Sequence, residues 1–78
     1  MLFRSVELRI PVPDRAGVLA EVTTLAGRLG VNIADLEIAH SIEGSAGVLV
    51  LVVPPAGAEA LAAGLRELGY APGRSELT

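Results

Sequence analysis

The stretch Val12 to Ile33, read as VPDRAGVLAEVTTLAGRLGVNI, constrains this chain more than any other. Before it, apolar residues alternate with polar ones. Inside it they recur every three to four residues, and past Gly30 the alternation returns. A switch from period two to period 3.6 and back means strand, helix, strand. The turn at Pro13-Asp14-Arg15 starts the helix, which runs to about Leu29. Asp14 is the expected N-cap, since a carboxylate there can accept from the free amides of the first turn. Gly30 suits the left-handed position after a helix.

The strand entering this unit is Phe3 to Val12. Val6, Leu8, Ile10 and Val12 face one way; Ser5, Glu7 and Arg9 face the other. Pro11 and Pro13 are expected to end its ladder, because proline donates no hydrogen bond. In the helix, Val18, Leu19, Val22, Leu25, Ala26 and Leu29 form the apolar face, with Arg15, Glu21, Thr24 and Arg28 opposite. Val31 to Ile42 reads as a second strand and Glu43-Gly44-Ser45 as a turn. Ala46 to Val53 (AGVLVLVV) is apolar on both faces, as a central strand covered on both sides would be. Two helices can cover only one face, so Val48, Val50 and Val52 are expected to need another cover. Pro54-Pro55 breaks the strand. Ala58 to Leu68 forms a second helix closed by Gly69, with Gly64 costing about 1 kcal/mol against alanine. Tyr70 to Leu77 reads as a short, proline-weakened edge strand.

The order β-α-β-β-α-β with right-handed crossovers gives a split βαβ sandwich of class α+β. Its antiparallel sheet has order 4-1-3-2 and both helices on one face. At 78 residues the chain makes one domain. A domain this small buries only roughly 60% of its unfolded surface. Its hydrophobic fraction of 51% with only 3% aromatics requires an aliphatic core and hints at apolar surface covered by a partner.

Composition also excludes functions. The net charge is −3, with no lysine and six scattered arginines, which argues against nucleic acid as a partner. There is no cysteine, hence no disulfide frame, thiolate metal site or thiol catalysis. The longest apolar run, Ala46 to Pro55, is too short to span a bilayer. The N-terminus lacks the features of a secretory signal, so a cytoplasmic location is the expectation. His40 is the sole histidine, with no partner set for a triad or a metal, and reads as a residue near the sheet's rim. Asp14 and Asp35 have no nucleophile spaced to work with them. Gly27 and Gly30 lie at a helix's end, where the dipole repels anions. No catalytic residue, metal or cofactor is expected.

What remains is the corner at the first helix's start. Free amides near Arg15, Ala16 and Gly17 suit a carboxylate. Gly17 leaves room for a ligand, and Asn32 offers both a donor and an acceptor. Spacing alone favours a plainer account, in which Asp14 caps, Gly17 packs and Asn32 turns the chain, since turn residues are enriched at such places.

The run VPDRAGVLAEVTTLAGRLGVNI, continued by DLEIAHS and GVLVLVV, resembles the ACT domains, small amino-acid-sensing modules attached to metabolic enzymes. The shared pattern is D/N-R-x-G-[VL]-L followed by G-x-N-I. The resemblance implies a ferredoxin-like fold with residues 1–78 as a single ACT domain. It also implies side-by-side pairing of two copies into one eight-stranded sheet, with an effector at the seam. Carried over by position, Asp14 and Asn32 match polar ligand contacts, Gly17 the motif glycine, and Arg15, Ala16, Val18 and Ile33 the neighbouring positions. Ala16 stands where proline is usual. Val12 stands where serine-sensing members carry histidine, and the GALV and ESRP motifs of phenylalanine-sensing members are missing. DLEIAHS with GVLVLVV is most similar to the C-terminal regulatory domain of bacterial prephenate dehydrogenases, which implies an aromatic effector, tyrosine first. The partners implied are a second copy, the effector and an attached or separate metabolic enzyme. Two alternatives stay open: a structural homodimerisation module without ligand, and an acylphosphatase-like enzyme using Arg15 and Asn32.

Overall fold

A computed structural model describes residues 5–13, 17–40 and 46–77. The elements are β1 (Ser5–Pro13), α1 (Val18–Leu29), β2 (Asp35–His40), β3 (Ala46–Val53), α2 (Pro55–Glu67) and β4 (Gly73–Leu77). The sheet order β2-β3-β1-β4 is the expected 4-1-3-2 read from the other edge, and every neighbouring pair is antiparallel.

Alternation in β1 and β3 sets the layers. Val6, Leu8 and Ile10 pair with Val53, Leu51 and Leu49, so both sets share one face. All six are buried, together with Val22 and Ala26 of α1 and Ala58, Leu61 and Leu65 of α2. Both helices therefore lie on that face, over an aliphatic core.

The opposite face corrects one expectation. Val50 is only 8% exposed although no helix covers it. Its cross-strand neighbours are Arg9 and Glu37, while Val52 lies between Glu7 and Asp35. Long charged side chains can lay their stems over apolar surface and keep their heads in water. Arg9 and Glu7 are held together at 3.2 Å on this face. Of the valine row only Val50 is buried by its own chain, while Val48 and Val52 stay half-buried.

Several boundaries also move. β1 runs through Pro11 and Pro13, opposite Val48 and Ala46, instead of losing its ladder there. β4 pairs only with Ser5 to Arg9, so from Ile10 onward one edge of β1 has no described neighbour, as proline in a strand requires. The N-cap position of α1 is Gly17; Asp14, expected there, lies outside the described residues. Leu19 and Leu29, expected inward, are exposed. β2 starts at Asp35, not Val31. The Val31 amide is taken by the Ala26 carbonyl at 2.9 Å in closing α1, and pairing with β3 starts from the Ala34 amide on Val52. α2 begins at Pro55, where a first-turn proline loses no hydrogen bond, and ends at Glu67 rather than spanning Ala58–Leu68. Leu68 is its cap, and the amides of Gly69 and Tyr70 bond the carbonyls of Arg66 and Leu65. β4 is the short exposed edge strand expected, starting at Gly73. Phe3, Ile42 and the Glu43-Gly44-Ser45 turn lie outside the described residues.

Two close contacts set where α2 sits. A methyl group at Gly64 would come within 3.0 Å of Leu25 on α1, so this glycine marks the helix crossing. At Gly57 it would come within 2.8 Å of Val31. Tyr70 adds a polar tie, its phenol donating to the Glu21 carboxylate of α1 at 2.5 Å. The ion pairs of Glu59 with Arg66 (3.6 Å) and Arg74 (3.8 Å) are exposed and add little.

These contacts reverse the usual effect of glycine replacement in a helix. Helix propensity favours Gly57→Ala by about 1 kcal/mol. The stiff Val31 cannot yield, so we expect the variant to lose about 1–2 kcal/mol in urea unfolding, as overpacked sites do. Adding Val31→Ala should remove the conflict, giving a favourable coupling in the double-mutant cycle. Additive losses would contradict the contact. Tyr70→Phe should lower stability by about 1–2 kcal/mol with an unchanged m-value, the range for a hydrogen bond to a charged group. An unchanged unfolding midpoint would mean that the tie carries nothing.

Candidate functional site

The site begins at the left-handed turn that opens α1. Gly17 has φ 89° and ψ −8°, a conformation that side chains bearing Cβ rarely adopt. It is exposed, and no atom stands within 4 Å of where a Cβ would be. Its carbonyl accepts the Glu21 amide at 2.9 Å, which starts the helical ladder. The amides of Val18, Leu19 and Ala20 therefore form the first turn, with no partner among the described residues. The donors expected near Arg15, Ala16 and Gly17 thus lie further along the chain. Asp14, Arg15 and Ala16 themselves lie outside the described residues. Val18 is 6% exposed, so its side chain belongs to the core and only its backbone faces the corner.

The other candidates sit at the far end of the helix. Asn32 is exposed in the connection between α1 and β2. Ile33 is half-buried and packs on the core. A helix of 12 residues is about 18 Å long. Gly17 and Asn32 are therefore separated by roughly that length in one chain and do not converge. His40, the last residue of β2, lies at the Gly17 end of the sheet, opposite Gly47. Asp35 starts β2 at the Asn32 end, where its carboxylate accepts the Leu36 amide at 2.9 Å.

Between these ends lies one exposed side of the domain. β2 is an edge strand. Its Ile38 shares the helix-side face with Leu36 but is 40% exposed. At 100° per residue, Leu19 stands about 120° around α1 from Leu25, the residue that meets α2. Leu19 and Thr23 thus occupy the flank turned away from α2, toward β2. The Thr23 hydroxyl bonds the Leu19 carbonyl at 2.9 Å, which uses its polar group inside the helix.

Sequence reasoning missed the other flank. There Gly17, Ala20, Glu21, Thr24, Leu25 and Arg28 line an open groove against Leu68 at the end of α2, so the groove begins at the candidate helix-start corner. Its signals were Glu21 beside apolar helix positions and the lone tyrosine just after Gly69. Sequence reasoning placed Tyr70 only in a strand. Among the described residues no three His, Cys, Asp or Glu side chains group to hold a metal, and no helix is long and apolar enough to cross a membrane.

Residues 6–73 match the family model described as ACT domain. Among solved structures, the ACT domain of prephenate dehydrogenase from Bacillus anthracis is similar with a TM-score of 0.77 and 29% identity. That match covers 86% of this chain and 99% of the other. Protein BT0572 from Bacteroides thetaiotaomicron has a TM-score of 0.72 at 24% identity, covering 95% of this chain and 49% of its own. The ligand-free regulatory subunit of aspartate kinase from Thermus thermophilus has a TM-score of 0.76 at 15% identity, covering 99% and 52%. The chain thus spans about half the length of these last two, which show the shared fold alone. No curated protein matches it. With the family pattern spanning both ends of α1 and all but the sheet's margins, this chain belongs to the ACT domain family.

Proposed function

We propose that residues 1–78 form one regulatory ACT domain, without catalysis of its own, that pairs with a second copy and binds a free amino acid at the seam. The observation carrying this reading is the separation of the candidate groups. Gly17 with its open amides and Asn32 with its amide lie about 18 Å apart in one chain. They can meet only between two chains set head to tail. A twofold axis at the β2 edge does this, since β2 runs from the Asn32 end to the Gly17 end.

The sequence of β2 also selects a register. Identical antiparallel strands must pair residues of the same face, so the axis passes beside a single residue. Centring on Glu37 would set two carboxylates opposite each other, which is unfavourable. Centring on Ile38 sets Glu37 against the partner's Ala39 and Leu36 against the partner's His40. It also covers the exposed Ile38 and draws in the Leu19 and Thr23 flank. Gly17 and Val18 of one chain then face Asn32 and Ile33 of the partner, and the family's motif adds Asp14, Arg15 and Ala16 to the proposed site. The ligand's carboxylate suits the helix-start amides and its ammonium the Asn32 carbonyl.

Similarity to the prephenate dehydrogenase domain supports an aromatic effector, tyrosine first. Effector binding would bias the arrangement of the two copies, and so a metabolic enzyme attached to or associated with them in the cytoplasm. A thermal-shift screen against the twenty amino acids tests this. At a hundredfold excess over its dissociation constant an effector adds about 2.7 kcal/mol. For a domain this size that is on the order of 10 °C. Tyrosine or phenylalanine is expected to give the largest shift. Asn32→Ala should abolish it while changing the ligand-free stability by no more than about 0.5 kcal/mol, as for other exposed sites. Silence across the panel from a dimeric chain would replace this reading with a structural dimerisation module.

A further inference from the structure

The groove on the α2 side of α1 begins at Gly17 and has a volume of about 390 Å³. That lies within the range of small-molecule pockets, roughly 300–1,000 Å³. The groove follows the helix. Gly17 and Thr24 are seven residues apart, two turns, so they fall on one stripe about 10.5 Å apart along the axis. Ala20 lies between them and is too small to fill the space. Leu25, half-buried, and Leu68, 44% exposed, are apolar walls. The two adjacent threonines of α1 differ. The Thr23 hydroxyl is spent on the Leu19 carbonyl at 2.9 Å. Thr24 lines the groove, and among the described residues nothing takes its hydroxyl.

We propose that this groove holds the side chain of the amino-acid effector, and that Thr24 is the residue that tells tyrosine from phenylalanine. The inference rests on the seam reading for the ligand's head and adds where its side chain goes. With the carboxylate on the amides of Val18, Leu19 and Ala20, two flanks of α1 are open to the side chain. In the proposed pairing the second copy covers the flank of Leu19 and Thr23. The other flank is the groove, continuous with the Gly17 corner, where the missing Cβ leaves the entrance clear. An aromatic ring laid over Ala20 between Leu25 and Leu68 removes apolar surface from water on both sides. With hydrogen bonds of roughly 2.8 Å at each end, tyrosine bridges the helix start and Thr24. Its phenol can donate to the Thr24 oxygen or accept from its O–H. Aliphatic side chains fall short of that position. Tyr70 holds the Glu21 carboxylate on the groove wall, where its charge opposes an acidic side chain. The groove therefore selects an uncharged aromatic amino acid, and the threonine selects the hydroxylated one.

Calorimetric titration of the full chain with tyrosine and with phenylalanine tests this, read as the ratio of the two dissociation constants. In the parent chain tyrosine is expected to bind about three- to tenfold more tightly, the worth of one neutral hydrogen bond. Thr24→Val keeps the side chain's shape and removes its hydroxyl. The two constants should then converge through weaker tyrosine binding, with phenylalanine unchanged. Thr24→Ser should retain the preference. Leu68→Ala should weaken both ligands alike. Thr23→Val should leave the ratio as it is in the parent chain, whereas a ring on the seam flank would make that variant lose the preference. If Thr24→Val leaves the ratio where it was, or Thr23→Val collapses it, the groove assignment is overturned and the seam stands. If Thr24→Val collapses the ratio while Asn32→Ala leaves both affinities unchanged, the groove assignment stands and the seam reading of the head fails. Binding of neither amino acid by a dimeric parent chain overturns both.

Discussion

The ladder between β1 and β3 decides which half of each strand meets the helices, and every other placement depends on it. Its register pairs Leu8 with Leu51 and Ile10 with Leu49. Because side chains alternate with period two, a slip of one residue would turn all of these outward and bring Glu7 and Arg9 into the core. The cost of burying unpaired charges makes that register self-enforcing. The same pairing sets Arg9 beside Val50 on the opposite face, where its stem can shield the valine. One register thus builds the core on one side and buries Val50 on the other, in a domain with little apolar area to spare.

Over that ladder, the helices take their positions from missing side chains. Gly57 meets Val31 at a distance that leaves no space for a methyl group, and Gly64 meets Leu25 where a methyl group would fit only if the leucine shifted. The helix–helix separation is set by two absences on α2, each matched to an aliphatic group near one end of α1. Tyr70 and Glu21 fix the rotation of α1 from the other end. This rotation has functional weight. It turns Leu19 and Thr23 toward the β2 edge and Glu21, Thr24 and Arg28 toward the groove, so both candidate surfaces are set by how α1 is rolled on the sheet.

Periodicity carried most of the fold into view. β1 and the helical faces could be read because burial imposes a repeat on sequence, and β3 because burial on both faces leaves an unbroken apolar run. What escaped were features without a repeat. Val31 to Ala34 reads like strand because apolar and small residues alternate there, yet Val31 is spent on closing α1. The start of α2 at Pro55 was hidden by treating proline only as a breaker. The cap at Gly17 was hidden because Asp14 is chemically the better cap, while positive φ favours glycine. The shielding of Val50 depends on neighbours from two other strands, which a single strand's pattern cannot reveal. At the site, residue types were legible but their separation was not. The motif places Gly17 and Asn32 near each other as words in one pattern, and the helix between them holds them about 18 Å apart.

That separation bears on mechanism as much as on location. A ligand held wholly within one chain would stabilise that chain and carry no information about its neighbour. A ligand that needs the head of one α1 and the tail of another is sensitive to the relative placement of the two chains. Its binding free energy then enters the equilibrium between subunit arrangements directly, by the difference in its affinity for each. On the proposed pairing, sliding one β2 along the other by a single two-residue step moves the helix ends by about 6.6 Å. Such a displacement breaks every hydrogen bond at the seam. On that pairing the rigid helix would make the coupling steep, by converting a register in the sheet into the presence or absence of a complete site.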